Sequence, residues 1–205
     1  MNTPIIEIHN LIKKYKKEEV LNIDTFSFMF GKKYLISGEN GSGKSTLIKC
    51  IVGVINYQGK IQINTKRIGY LPERFPEISL IRAKTFLDNL TIEENKTIVS
   101  EIIDQFSDYF VLDVNKNISS LSKGNLQKVM IIQALINNAN LLIFDEPLNG
   151  LDINNQNKFI NLLKMIDDGK KTIIITTHYP KYYQDLYDYQ IFIARGRINE
   201  IKENL

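Results

Sequence analysis

KKYLISGENGSGKSTLIKC, residues 32–50, is the stretch on which the fold turns. Tyr34, Leu35 and Ile36 read as a short apolar strand, and LIKC continues as a helix. Between them Gly38, Gly43, Lys44 and Ser45 fit G-x-x-x-x-G-K-[ST]. Glycines in such a loop let the backbone curl until several N–H groups point at one phosphate. Lys44 then places a cation between the β- and γ-phosphates of a nucleotide, the Ser45 hydroxyl serves as a Mg²⁺ ligand, and Thr46 reaches the α-phosphate. Glu39, Asn40, Gly41 and Ser42 complete the loop. A chance Gly/Ser match would lack the strand before it and the helix after it, and this one has both.

Outward from the loop, IIEIHNLIKKY and IDTFSFMF alternate in the manner of antiparallel strands. GKIQI and KRIGYL are two further short strands. From about residue 74 to 120 the texture changes to short helical patterns, AKTFLDNL and TIVSEIIDQF, separated by polar breaks. NLQKVMIIQALINN is apolar almost all round, which predicts a buried helix. LLIF and TIIIT are unbroken apolar runs of strand length, the pattern of strands covered on both faces in a parallel sheet. QNKFINLLKMI between them is amphipathic, and IFIA, Gly196 and RINEI close the chain as a hairpin.

The chain has 205 residues, 43% apolar and 24% charged, which bounds it to one compact unit of ordinary soluble composition. A net charge of +3 is too small to imply a nucleic-acid partner, and none is expected. The single cysteine, Cys50, has no internal partner and suits a reducing compartment. No apolar run approaches the roughly 20 residues that cross a bilayer. MNTPIIEIHN lacks the basic-then-apolar layout of a secretion signal. A cytoplasmic protein is expected, with any membrane role delegated to a partner.

LLIFDEP ends a buried strand in two carboxylates. Asp145 is placed to hold the water shell of Mg²⁺, and Glu146 to polarise an attacking water. His178 follows the TIIIT strand; its imidazole either reaches the γ-phosphate or the attacking water, or is a structural histidine satisfied locally. His9 has no such context and reads as structural or solvent-facing. LSKGNLQK, residues 121–128, opens the buried helix with a second set of free backbone N–H groups, although the chain already has one phosphate cradle.

GENGSGKST, LSKGNLQK, LLIFDEP, NGLD and TTH occur in this order in ABC-type ATPases, and the chain resembles an ATP-binding-cassette domain over nearly its whole length. The resemblance implies an α/β P-loop NTPase fold with a RecA-like parallel sheet core, an antiparallel β-subdomain and a small helical subdomain. Residues 1–205 then form one ABC ATPase domain, with the core at 1–73 and 121–205 and the helical subdomain at about 74–120. It implies ATP and Mg²⁺ as ligands, with Lys44, Glu146 and His178 at the chemistry and Ser45 and Asp145 at the metal. It also accounts for the second helix start. Ser122, Lys123, Gly124 and Asn125 stand where the family has its signature, which closes over ATP held by the cradle of a second chain. Leu151 and Asp152 match the loop that couples the two sites. Tyr15 matches the aromatic that stacks on adenine; the alternative is a partly exposed strand tyrosine.

Three departures stand out. Glu73, in YLPE, stands where many members of the family have a glutamine and would bring a carboxylate to the metal; in this it resembles cassettes paired with exporters of the ABC-2 type. Lys123 and Asn125 replace a glycine and a glutamine of the signature, and Lys123 either adds charge near the partner's nucleotide or faces solvent. The segment from Lys44 to Glu73 is short, which predicts a trimmed β-subdomain. The expected function is the ATPase subunit of a transporter, dimerising with an identical or paralogous chain around two Mg-ATP. It would drive a separate transmembrane permease from the inner face of the membrane, in the direction of export. The alternatives are a soluble ABC ATPase of DNA repair or ribosome association, and a nucleotide-gated dimerisation module with little turnover.

Overall fold

The computed structural model describes residues 3–75, 80–91 and 96–204. Its centre is a six-stranded sheet in the order β5-β6-β7-β3-β8-β9. The strands are β3 (Lys33–Ser37), β5 (Ile68–Leu71), β6 (Leu141–Asp145), β7 (Thr172–Thr177), β8 (Tyr189–Ala194) and β9 (Arg197–Glu203). All neighbours are parallel except the β8–β9 hairpin. Every residue of β6 and β7 is buried, as their unbroken apolar runs require of strands with both faces covered.

The faces separate by alternation. Leu35 and Phe144 pack into one core with Ile131 and Phe159, while their strand neighbours Ile36 and Ile143 pack into the other with Ile8, Leu21 and Leu47. The first core lies beneath α2 (Ala83–Leu90), α3 (Lys96–Phe110), α4 (Lys123–Leu135) and α5 (Ile153–Ile166). The second lies between the sheet, α1 (Lys44–Ile51) and an antiparallel three-stranded sheet of order β2-β1-β4. That sheet is made of β1 (Pro4–Tyr15), β2 (Glu18–Met29) and β4 (Gln58–Ile63). The architecture is that of an α/β P-loop NTPase with an antiparallel β-sheet appended.

α4 is buried along most of its length, including Gln127 and Lys128, because its apolar residues do not keep to one stripe. Gln127 Nε2 donates to the Pro147 carbonyl at 2.8 Å, which satisfies the amide inside the core. The 74–120 segment carries α2 and α3; residues 76–79 and 92–95 lie outside the described residues. α2 enters through backbone bonds from Ala83 to Lys116 and from Lys84 to Val114. A bridge between Arg82 and Asn117 ties the same two segments together.

Two tight approaches lock the phosphate-loop end of the sheet. Gly38, at φ 153°, leaves no room for a side chain, since a Cβ there would lie 2.2 Å from the Ile193 carbonyl oxygen. The β8–β9 turn at Arg195 and Gly196 has φ 49° and 73°, the geometry of a two-residue hairpin turn. From that turn the Gly196 N–H donates to the Ser42 carbonyl at 2.9 Å, and its carbonyl accepts from Asn22 at 2.9 Å. The hairpin thereby pins the loop to β2 of the antiparallel sheet.

Candidate active site

Strand register brings the functional groups together. β3 ends opposite Thr177 of β7, and Asp145 at the end of β6 lies opposite Thr176. The three strand ends deliver the glycine loop, the acidic pair and His178 to one edge of the sheet, where parallel α/β sheets bind ligands. A cavity of about 520 Å³ opens there. Asn40, Gly41, Gly43, Lys44, Ser45, Thr46, Glu73, Glu146 and His178 line it, all named from sequence. Gly38, Glu39 and Ser42 belong to the same loop but do not face this cavity.

Lys44 is 5% exposed, and its Nζ donates to the carbonyls of Gly38 at 2.8 Å and Glu39 at 3.1 Å. The same ammonium lies 3.9 Å from Glu146 Oε1. Glu146 Oε2 is 2.9 Å from His178 Nδ1, so the glutamate is held between two basic groups. Glu146 sits at φ 53°, a strained conformation for a residue with a side chain. Its N–H is anchored to Thr176, 3.0 Å from Oγ1 and 3.2 Å from the carbonyl. The Glu146 contact draws His178 into the cavity, and the sequence alone left that open.

Asp145 is fully buried. Its Oδ1 accepts from Ser45 Oγ at 2.9 Å and from Thr176 Oγ1 at 2.5 Å. Its Oδ2 is a buried acceptor with no partner. Burial, first, pushes the carboxyl above the usual carboxylate range; the Thr176 and Ser45 hydroxyls oppose the shift, and the charges of Glu73 and Glu146 add to it. Glu73 Oε2 stands 3.3 Å from the same Ser45 hydroxyl. A hydroxyl and two carboxylates with an orphaned oxygen fit the hard-oxygen donor set of Mg²⁺, which needs few protein ligands because it keeps several waters. No group of three or more His, Cys, Asp or Glu that could hold a metal ion occurs among the described residues.

Three further residues line the cavity that sequence reasoning did not single out: Val20, Arg74 and Asn149. Val20 and Arg74 belong to no motif; Asn149 begins NGLD, in which the resemblance marks Leu151 and Asp152. Tyr15 is not among the lining residues; it is 46% exposed, with Lys13 Nζ 4.8 Å from its ring centroid.

Ser122, Lys123, Gly124 and Asn125 line no part of the cavity. Ser122 is exposed and caps α4, its Oγ accepting from the Asn125 N–H at 3.3 Å. The NGLD loop packs against this helix start. A Cβ on Gly124 would lie 2.9 Å from the Gly150 carbonyl oxygen, and one on Gly150 would meet the Lys123 methylenes at 3.2–3.3 Å. The stem of Lys123 therefore lies along Gly150, while the residue as a whole is exposed. Leu151 is buried at 7% exposure, and Asp152 caps α5 by accepting from Asn155 at 2.9 Å. That backbone bond, with the Asn155 side chain, holds the Asp152 carboxyl below its usual range.

A glycine cradle, a buried lysine and an acidic pair on one edge of a parallel sheet define a P-loop nucleotide-hydrolysing enzyme. The profile of the ABC transporter family matches residues 21–149, and the chain belongs to that family as an ATP-binding subunit with ATPase activity. It is 33% identical over 202 residues to an uncharacterized ABC transporter ATP-binding protein of Methanocaldococcus jannaschii, covering 95% of this chain and 76% of the relative. It is 35% identical over 184 residues to the zinc import ATP-binding protein ZnuC of Ehrlichia chaffeensis, covering 87% and 75% of the two chains. A dimeric bacterial ABC transporter cassette superposes with a TM-score of 0.85 over 98% of this chain and 99% of its own, at 22% identity, a likeness of fold. Among the described residues no helix is long and apolar enough to cross a membrane.

Proposed function

We propose that two copies of this chain, or this chain and a paralogue, close head to tail around two Mg-ATP and hydrolyse them to drive a separate membrane permease. One observation carries the reading: the Ser122–Asn125 helix start, a helix N-terminus of the kind that binds phosphate, lies outside the lining of its own chain's cavity. A second cradle is the phosphate it would serve. The solved cassette of the same fold is described as dimeric, which supports the arrangement.

In the proposed cycle Lys44 exchanges the Gly38 and Glu39 carbonyls for phosphate oxygens. Glu146 takes a proton from the attacking water, oriented by its contact with His178. Ser45, Asp145 and Glu73 would hold Mg²⁺, which when bound neutralises charge developing on the transferred phosphoryl group. The loop from Asn149 to Asp152 runs between the cavity and the helix start of the same chain, and thereby links the two half-sites each copy contributes. Helices α2 and α3 form the surface offered to a permease at the cytoplasmic face of the membrane.

The direction of transport belongs to the permease, because nucleotide-driven closure serves either. Relatives named for zinc import favour uptake, and the export expected from Glu73 has no counterpart among them. Relatives named as transporter subunits likewise favour this reading over DNA repair or ribosome association. Sedimentation of the Glu146→Gln variant tests the proposal. A stable dimer is expected with Mg-ATP and a monomer without it; a monomer under both conditions contradicts it.

A further inference from the structure

The oxygens around Ser45 are short of protons. Ser45 has one hydroxyl proton, and its Oγ lies 2.9 Å from Asp145 Oδ1 and 3.3 Å from Glu73 Oε2. It can serve only one of them at a time. The Thr176 proton goes to Asp145 Oδ1, at 2.5 Å. Asp145 Oδ2, on a side chain with no exposed surface, has no partner at all. With the serine turned to Asp145, Glu73 Oε2 loses its donor; turned to Glu73, it leaves the Thr176 proton as the sole donor to the two buried oxygens of Asp145.

Charge is unbalanced in the same place. Glu73 and Glu146 line the cavity, and Asp145, fully buried and outside the lining, is bonded to the Ser45 hydroxyl that lines it. The nearest ammonium, on Lys44, lies 3.9 Å from Glu146 with its hydrogens directed to the Gly38 and Glu39 carbonyls. Arg74 shares the cavity wall but forms no ion pair with Glu73 among the described residues. A buried carboxylate oxygen without donor or countercharge is costly, and a cation on it removes both deficits.

We propose that Glu73 turns the Ser45–Asp145 corner into a divalent-cation site that fills before nucleotide arrives. The inference rests on the reading of that corner as the metal end of the ATP site. With glutamine at this position a single carboxylate would remain, and Mg²⁺, which holds few protein ligands and many waters, would arrive with the triphosphate. With Glu73 two carboxylates and a hydroxyl converge from β6, α1 and the segment after β5, all present without any phosphate. Hard oxygen donors of this kind select Mg²⁺, Mn²⁺ or Ca²⁺ over softer ions. Binding order follows: the metal-loaded chain, already neutralised, captures ATP with less repulsion from Glu73.

Mn²⁺ is the probe, followed through the loss of its free-ion paramagnetic resonance signal as it is titrated into the full chain without nucleotide. The parent should bind one ion per chain. Glu73→Gln should weaken that binding by at least about tenfold, as loss of a metal-orienting group does. Glu73 is exposed, so the variant keeps the fold, and an unchanged melting curve verifies this. Lys44→Ala, expected to lose ATP, should still take up Mn²⁺. A parent that binds ATP with Mg²⁺ but takes up no Mn²⁺ alone overturns the proposal, as does a Glu73→Gln variant that binds Mn²⁺ as the parent does. A parent that takes up Mn²⁺ but binds no ATP would support the cation site and refute the nucleotide reading instead.

Discussion

Replacing Glu146 by glutamine removes one charge and almost nothing else. The side chain is buried, and glutamine can keep the 2.9 Å contact to His178 by donating or accepting as the imidazole tautomer requires. Proton removal from water is lost, because an amide is not a base. A positioned general base contributes about 10²–10⁴-fold, so the barrier should rise by ~2.7–5.4 kcal/mol. ATP binding should move the other way. Glu146 attracts Lys44 across 3.9 Å; for unit charges near that distance the attraction is about 4 kcal/mol at an effective dielectric of 20. Releasing even part of it frees Lys44 for phosphate. Steady-state phosphate release, together with equilibrium binding of a fluorescent ATP analogue, separates the two effects. The account expects turnover at or below about one hundredth of the parent with affinity equal or higher. Turnover within tenfold of the parent would refute the assignment of Glu146 as the base.

The remaining expectations come from other parts of the site and fold. Lys44→Ala should abolish ATP binding by equilibrium dialysis, since the one buried ammonium of the cradle is lost; parental affinity would contradict the cradle. Asp145→Asn should raise the melting temperature at neutral pH, because a buried carboxylate with an orphaned oxygen costs about 1–3 kcal/mol when ionised. The Asp145 pKa is raised in the folded state, so its cost grows as pH climbs from the ordinary carboxylate range through the raised value; the gap between variant and parent should close in acid. Gly69→Ala would put a Cβ 1.9 Å from the Ala134 carbonyl oxygen of α4. Denaturant unfolding should register a loss at or above the upper end of the ~1–3 kcal/mol typical of overpacking.

Much of this is legible in the sequence itself. β6 and β7 announced themselves because a strand covered on both faces has no polar alternation to hide it. The glycine loop was legible because its spacing encodes a backbone shape. Asp145 and Glu146 followed from standing at the end of such a strand. The sheet order was not legible: β3 inserts between β7 and β8, and β4 and β5, neighbours in sequence, join different sheets. Those choices depend on which faces meet, not on local pattern. Val20 and Arg74 reach the cavity through chain trajectory alone, and no residue-type signal marks them. Tyr15 shows the converse, since a position inferred from resemblance lies outside the cavity lining. Lys123 was open between a phosphate contact and a solvated face; that its methylenes rest on Gly150 depends on a glycine far along the chain.

The central claim, that each ATP is completed by two chains, is tested most directly by mixing two disabled variants. Lys44→Ala lacks a working cradle, and Ser122→Arg lacks a working helix start. In a mixed dimer both lesions fall on one composite site, and the other pairs an intact Lys44 with an intact Ser122. Random pairing makes about half the dimers mixed, each with one good site, so the mixture should recover roughly a quarter of parental turnover. A mixture as inactive as either variant alone would contradict the account.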